Sequence, residues 1–165
     1  MQVFFKFLFL QCFWYLVVAQ KLNLNFSFTL MVLMLTWHYF SLIHKFQFKS
    51  YIIHILIFLV TGLLFDGGLI FFGLINEKSY HLDLLLLWPA FYIYYDLGLL
   101  RFEAYKKHSQ FFIGATGGLF SYFMGVQMEG FELINPILFY FYVCIFWGGF
   151  FIVSLSLVKK SIYKS

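Results

Sequence analysis

Charge is what this 165-residue sequence has least of: Asp, Glu, Lys and Arg together make up 11% of it, under half of the roughly 25% usual in a soluble globular domain. A chain so poor in charge excludes disordered tails, and it leaves no polar skin for an ordinary cytosolic enzyme. Cysteine occurs only twice, at Cys12 and Cys144 in different hydrophobic runs, which excludes a disulfide scaffold and any zinc or iron–sulfur centre built on cysteine pairs. The formal charge is +4, yet the basic residues are scattered between apolar runs, so no nucleic-acid face is expected. No cofactor or metal is expected either. His-Glu-x-x-His, Gly-x-Ser-x-Gly, Walker and di-iron carboxylate–histidine patterns are all missing.

What the sequence has is apolar surface. Sixty-three per cent of residues are hydrophobic, 25% are aromatic with 26 Phe among them, and mean hydropathy is +0.88. No water-soluble chain of this length buries that much, so the expected solvent is the bilayer. Six runs are long enough to cross it: 4–19, 26–43, 52–75, 82–100, 111–128 and 137–158. The expected fold is therefore all-α, a polytopic transmembrane bundle of six spans forming one domain over residues 1–165, with the bilayer itself as its first partner. A Lys followed by an apolar stretch and Val17-Val18-Ala19 also reads as a signal peptide. Its removal would leave an odd number of spans, so the run is kept as the first span.

Orientation follows from Lys and Arg, which are retained on the cytoplasmic side. With the N-terminus inside, Lys6, Lys45, Lys49, Arg101, Lys106, Lys107, Lys159, Lys160 and Lys164 all fall inside, nine of eleven. Lys21 and Lys78 fall outside, beside Glu77, Asp83, Glu129 and Glu132. Both termini are then cytoplasmic.

Against this background a carboxylate inside a span is conspicuous, because it costs at least about 2.5 kcal/mol near a helix centre. Asp66 is that residue, nine positions before Ile75 and so about 14 Å from the outer end of a continuous third span. Gly62 and Gly73 share its helical stripe, which points it into the bundle. Gly114, Gly118, Ser121 and Gly125 recur on one face of span five and form the expected packing counterpart, with Gly117 widening it. Trp88-Pro89 interrupts span four at a similar depth, where Pro removes a donor. Asp66, Trp88 and Tyr122 are thus expected to enclose a small polar pocket in the outer half. The plainer alternative is a structural Asp66 satisfied by Tyr122 or a backbone donor.

A second polar level lies near the inner ends, with Gln11, His38, His54 and Asp96 within about 10 Å of the cytoplasmic side. His38 and His54 can meet each other but not Asp66, and each reads most simply as an interfacial side chain meeting lipid, water or a neighbouring helix. Tyr92, Tyr94 and Tyr95 read as an interfacial aromatic belt. His44, His81 and His108 are loop residues. Asn135-Pro136 reads as a capped helix start.

Four pieces, Phe9-x-Gln11-x-x-Trp14, Leu64-Phe65-Asp66, Leu87-Trp88-x-x-Phe91 and Gly114-Ala115-x-Gly117-Gly118-x-x-Ser121-Tyr122-x-x-Gly125, resemble a family of short bacterial inner-membrane proteins catalogued as domain of unknown function 2878. The residues that match its pattern are Trp14, Asp66, Trp88, Gly118, Tyr122 and Gly125, while Leu119 and Asp96-Leu97 depart from it. The resemblance implies a multi-pass protein of the bacterial inner membrane and brings no activity with it. Three functions are open: an accessory or scaffold protein of the envelope that contacts other membrane proteins, a membrane-embedded enzyme or lipid-handling protein that uses Asp66, Tyr122 and Trp88 on a lipid substrate, and a small proton-coupled transporter that links Asp66 to His38 and His54.

Overall fold

A computed structural model describes residues 2–20, 23–42, 48–76, 82–93 and 98–162. Among them every regular element is helical, apart from one isolated antiparallel bridge between Ile75 and Leu133. The elements are α1 (Gln2–Gln20), α2 (Leu24–Leu42), α3 (Phe48–Phe71), a 3-10 turn (Leu82–Leu86) that leads into the short α4 (Leu87–Phe91), a second 3-10 turn (Leu99–Ala104), α5 (Lys107–Gln127) and α6 (Pro136–Ile162). Lys21, Lys45, Glu77, Lys78, Tyr94, Tyr95, Asp96-Leu97, Lys164, His44 and His81 lie outside the described residues.

Two of these helices are long and apolar enough to cross a membrane: α3, and α6 over Pro136–Lys159, each with a mean hydropathy of 2.1. Only 33% and 39% of their most apolar stretches are buried. The central helix of a soluble protein hides its apolar residues, whereas Leu64, Phe71 and Ile137 here are 69%, 84% and 82% exposed.

Local chemistry explains the helix ends. Asn23 Oδ1 accepts the Asn25 amide at 2.9 Å and Asn135 Oδ1 accepts the Leu138 amide at 3.2 Å, so side-chain caps open α2 and α6. The Asn135-Pro136 start is as the sequence predicts. At the end of α3, Gly73 turns left-handed with φ of 62°; its amide reaches the Ile70 carbonyl and that of Leu74 reaches Leu69, a Schellman closure. Gly73 therefore does not extend the packing stripe of Asp66, as expected from spacing. No atom lies within 4 Å of a Cβ built there, and its role is to stop the helix. Stopping at Phe71 also brings Asp66 within five residues of the helix end, about 7.5 Å rather than 14 Å. The end of α5 closes in the same way, with Glu129 in the left-handed position (φ 55°) and the Gly130 amide on the Gly125 carbonyl.

The fourth expected span is not a continuous helix over Leu82–Leu100. Its described part is a 3-10 turn and five α-helical residues holding Pro89, followed by a turn at Tyr92, and Gly98 (φ 126°) precedes the second 3-10 turn. The cause is chemical, since Pro89 has no amide to bond the carbonyl four residues back.

The small-residue face of α5 closes on α6 rather than on α3. A Cβ at Gly114 would overlap Phe151 Cβ, and one at Gly118 would overlap the Trp147 side chain; in return, one at Gly148 would overlap the Phe111 ring. This is the close approach that a Gly-x-x-x-Gly element permits, with Trp147 and Phe151 as the residues that use it. At the end of the bundle where α5 begins Gln110, fully buried, donates its amide to the carbonyls of Phe102, Glu103 and Tyr105 at 3.0–3.1 Å, and Lys159 meets Glu103 at 2.6 Å. At the opposite end residues 74–76 pair with 132–134, where Asn76 N–H meets the Glu132 carbonyl at 2.9 Å and the Ile134 amide meets Leu74 at 3.0 Å.

Candidate functional site

Asp66 is 4% exposed on the inward face of α3. Its Oδ2 accepts Trp88 Nε1–H at 3.2 Å, and its Oδ1 accepts the Tyr122 hydroxyl at a long 3.5 Å. The sequence brings Trp88 there through the break in its helix and through Gly62, one turn before Asp66. Gly62 has no side chain to displace the indole, and a Cβ there would overlap the Trp88 ring. Trp88 also stacks on Trp147, with centroids 5.1 Å apart and planes 19° from parallel. Asp66, Trp88 and Tyr122 are therefore brought together, as their shared depth predicts.

They line a cavity of about 610 Å³, within the range that holds one small organic ligand. Helix α1 contributes Gln11 and Trp14 to its wall, α3 Asp66, and α5 Gly117, Ser121 and Tyr122; the rest of the lining is mainly apolar. Ile75, within the paired segments, and Phe131, beside them, line it too, and both are buried. Helices α1 and α5 come close at Val18 and Gly125. Further along, Gly117 is exposed and a Cβ built on it meets nothing within 4 Å, so the cavity has room at that wall. Of the glycines predicted to pack, Gly62, Gly114 and Gly118 do so against large rings, Gly125 lies beside Phe131, and Ser121 lines the cavity.

His38 and His54 belong to a separate, buried cluster, whereas Gln11, expected at their level, lines the cavity. His38 Nδ1 lies 3.0 Å from Tyr51 Oη, and that hydroxyl donates to the Leu35 carbonyl at 2.9 Å. The single hydroxyl proton is thus spent on Leu35, which makes His38 Nδ1–H the donor to Tyr51. His54 Nδ1 lies 3.2 Å from Tyr92 Oη, and the Tyr51 and Tyr92 rings meet at 5.6 Å. Exposure is 1% at His38, 5% at His54 and 2% at each tyrosine. These are interior residues, and each histidine bonds a side chain of a neighbouring element, one of the partners expected for it, with Tyr92 buried among them. Sequence reasoning missed Tyr51 as their bridge, and Gln110 as a buried group, because neither sits in a recognisable motif. Their one legible signal was a polar atom beside an apolar run.

Twelve residues, about 18 Å of helix, separate His54 from Asp66 on α3. Rings fill that interval: Phe58 contacts Tyr92 at 5.5 Å and Phe150 at 5.2 Å, and Phe150 contacts Trp88 at 5.5 Å. Among the described residues no group of three or more His, Cys, Asp or Glu is placed to hold a metal ion.

Helices of this length and apolarity, folded around a buried carboxylate and a mainly apolar cavity, define an all-helical protein with membrane-length elements. The chain belongs to the family described as Protein of unknown function (DUF2878), whose model matches residues 3–153. No curated protein and no solved structure matches it.

Proposed function

We propose that this chain is an integral protein of the bacterial inner membrane, crossing it six times with both termini cytoplasmic, and that it binds a lipid-like molecule in the cavity beside Asp66. One observation carries the reading: the buried carboxylate of an otherwise charge-poor bundle lines an apolar cavity large enough for a ligand, rather than a sealed helix contact. Intramembrane carboxylates that face a cavity mark binding sites. The outward-facing apolar residues of α3 and α6 support the membrane setting, and the alternation of loop charge supports the orientation.

The two competing functions have less behind them. A proton-coupled carrier needs a polar path from Asp66 to His38 and His54, and Phe58, Phe150 and Trp88 occupy that interval instead. A purely accessory protein gives no reason for the space at Gly117. The test is to purify the wild type and Gly117→Phe in mild detergent and compare their bound lipids by mass spectrometry. Wild type should carry an apolar-chain molecule that Gly117→Phe lacks at equal melting temperature. Equal lipid content in the two would overturn the binding reading and return the protein to an accessory role.

A further inference from the structure

We infer that the cavity selects its occupant by the charge of the head group: it takes a single-chain amphiphile with a compact head that donates hydrogen bonds and bears no negative charge, a long-chain amine above a long-chain alcohol, and it rejects long-chain carboxylates. This rests on the reading of the cavity as a lipid-binding site. Asp66 is the one charged side chain among the described residues that line it; no Lys, Arg or His does. Trp88 Nε1 and Tyr122 Oη, two donors that reach Asp66, are neutral. A carboxylate only accepts hydrogen bonds, so a head group beside it must donate, and an anionic head would place like charges together where little water screens them.

Depth sets the size of the head. Asp66 lies about 7.5 Å inside the end of α3, and buried Ile75 and Phe131, in and beside the paired loops, line the cavity at that end. A sugar or phosphate head would have to be desolvated beneath that cover, whereas a hydroxyl or ammonium group fits with one or two bonds. The chain then lies along the apolar wall past Gly117, where the cavity has room.

The aromatic lining supplies the readout. Trp14, Trp88 and Trp147 line the cavity, and the fourth tryptophan, Trp37, is exposed elsewhere on α2. In a Trp37→Phe background, eighteen-carbon chains dibrominated at mid-chain and bearing an amine, an alcohol or a carboxylate head are titrated against tryptophan fluorescence at neutral pH. Bromine should quench with the amine probe binding at least about tenfold more tightly than the carboxylate, the difference expected for one hydrogen bond to a charged group. Asp66→Asn should abolish that preference while all three chains still bind. Equal binding of the three probes to the Asp66 protein would overturn the head-group inference and leave the cavity reading intact. Failure of every probe, or equal quenching in Gly117→Phe, would overturn both. If Gly117→Phe melts lower than its parent, Gly117→Leu takes its place in the same comparison.

Discussion

The Trp88 indole donates to the Asp66 carboxylate across 3.2 Å while its ring lies flat in the space left by Gly62. One side chain is thus held at two points on α3, and the short α4 is pinned by both. Trp88→Phe keeps the ring and removes the donor, so a loss of about 0.6–2 kcal/mol is expected. Asp66→Asn retains an acceptor and should cost less than Asp66→Leu, which leaves Trp88 Nε1 and the Tyr122 hydroxyl facing a methyl group. Thermal melting in detergent checks the order; an Asp66→Leu protein as stable as wild type would remove these bonds from the stability of the fold.

Gly62 and Gly67 lie on opposite faces of α3 and should respond oppositely. A Cβ at Gly62 meets the Trp88 ring, and Gly62→Val is expected to cost about 1–3 kcal/mol through overpacking. Nothing lies within 4 Å of a Cβ at Gly67, so Gly67→Ala should stabilise by up to about 1 kcal/mol through helix propensity. Paired melting curves decide it.

On α5 the contrast is between neighbours. Gly118→Val drives side-chain atoms into Trp147 and should separate α5 from α6, at a cost of about 1–3 kcal/mol or more, whereas Gly117→Ala should be tolerated. A disulfide between cysteines placed at facing positions of α5 and α6 would report the separation directly.

In the histidine–tyrosine cluster the Tyr51 hydroxyl serves Leu35 and His38 together, so Tyr51→Phe removes two buried hydrogen bonds and should cost about 1–3 kcal/mol. Tyr92→Phe loses its bond to His54 and should cost less. A double-mutant cycle of His54→Ala with Tyr92→Phe should show coupling, while His54→Ala with Trp88→Phe, set on different polar levels, should be additive.

Topology has its own test. With Cys12 and Cys144 replaced by Ser, a cysteine at Glu129 should react with a membrane-impermeant maleimide on intact cells, and one at Lys107 should react only after the membrane is opened. The reverse pattern would invert the orientation.

Much of the site was legible from depth alone. Counting helical rise put Asp66, Trp88 and Tyr122 at one level and His38, His54 and Gln11 at another; the first three do meet and both histidines meet Tyr92, but Gln11 lines the Asp66 cavity instead. What counting could not give was the partner of each helix face, because a glycine stripe announces a close approach without naming what approaches. Gly114 and Gly118 met α6, and Gly73 turned out to be a helix stop, since spacing does not distinguish a packing glycine from a capping one until φ is known.

By itself the sequence determined the helical class, because it follows from composition and from the length of apolar runs, which need no partner to be read. It also singled out Asp66, since one carboxylate in a charge-poor run is a local fact. Tertiary structure alone decided that this carboxylate lines a cavity of about 610 Å³ and that His38 and His54 are sealed by Tyr51 and Tyr92. A cavity is the space that several helices fail to fill, and no single helix encodes it.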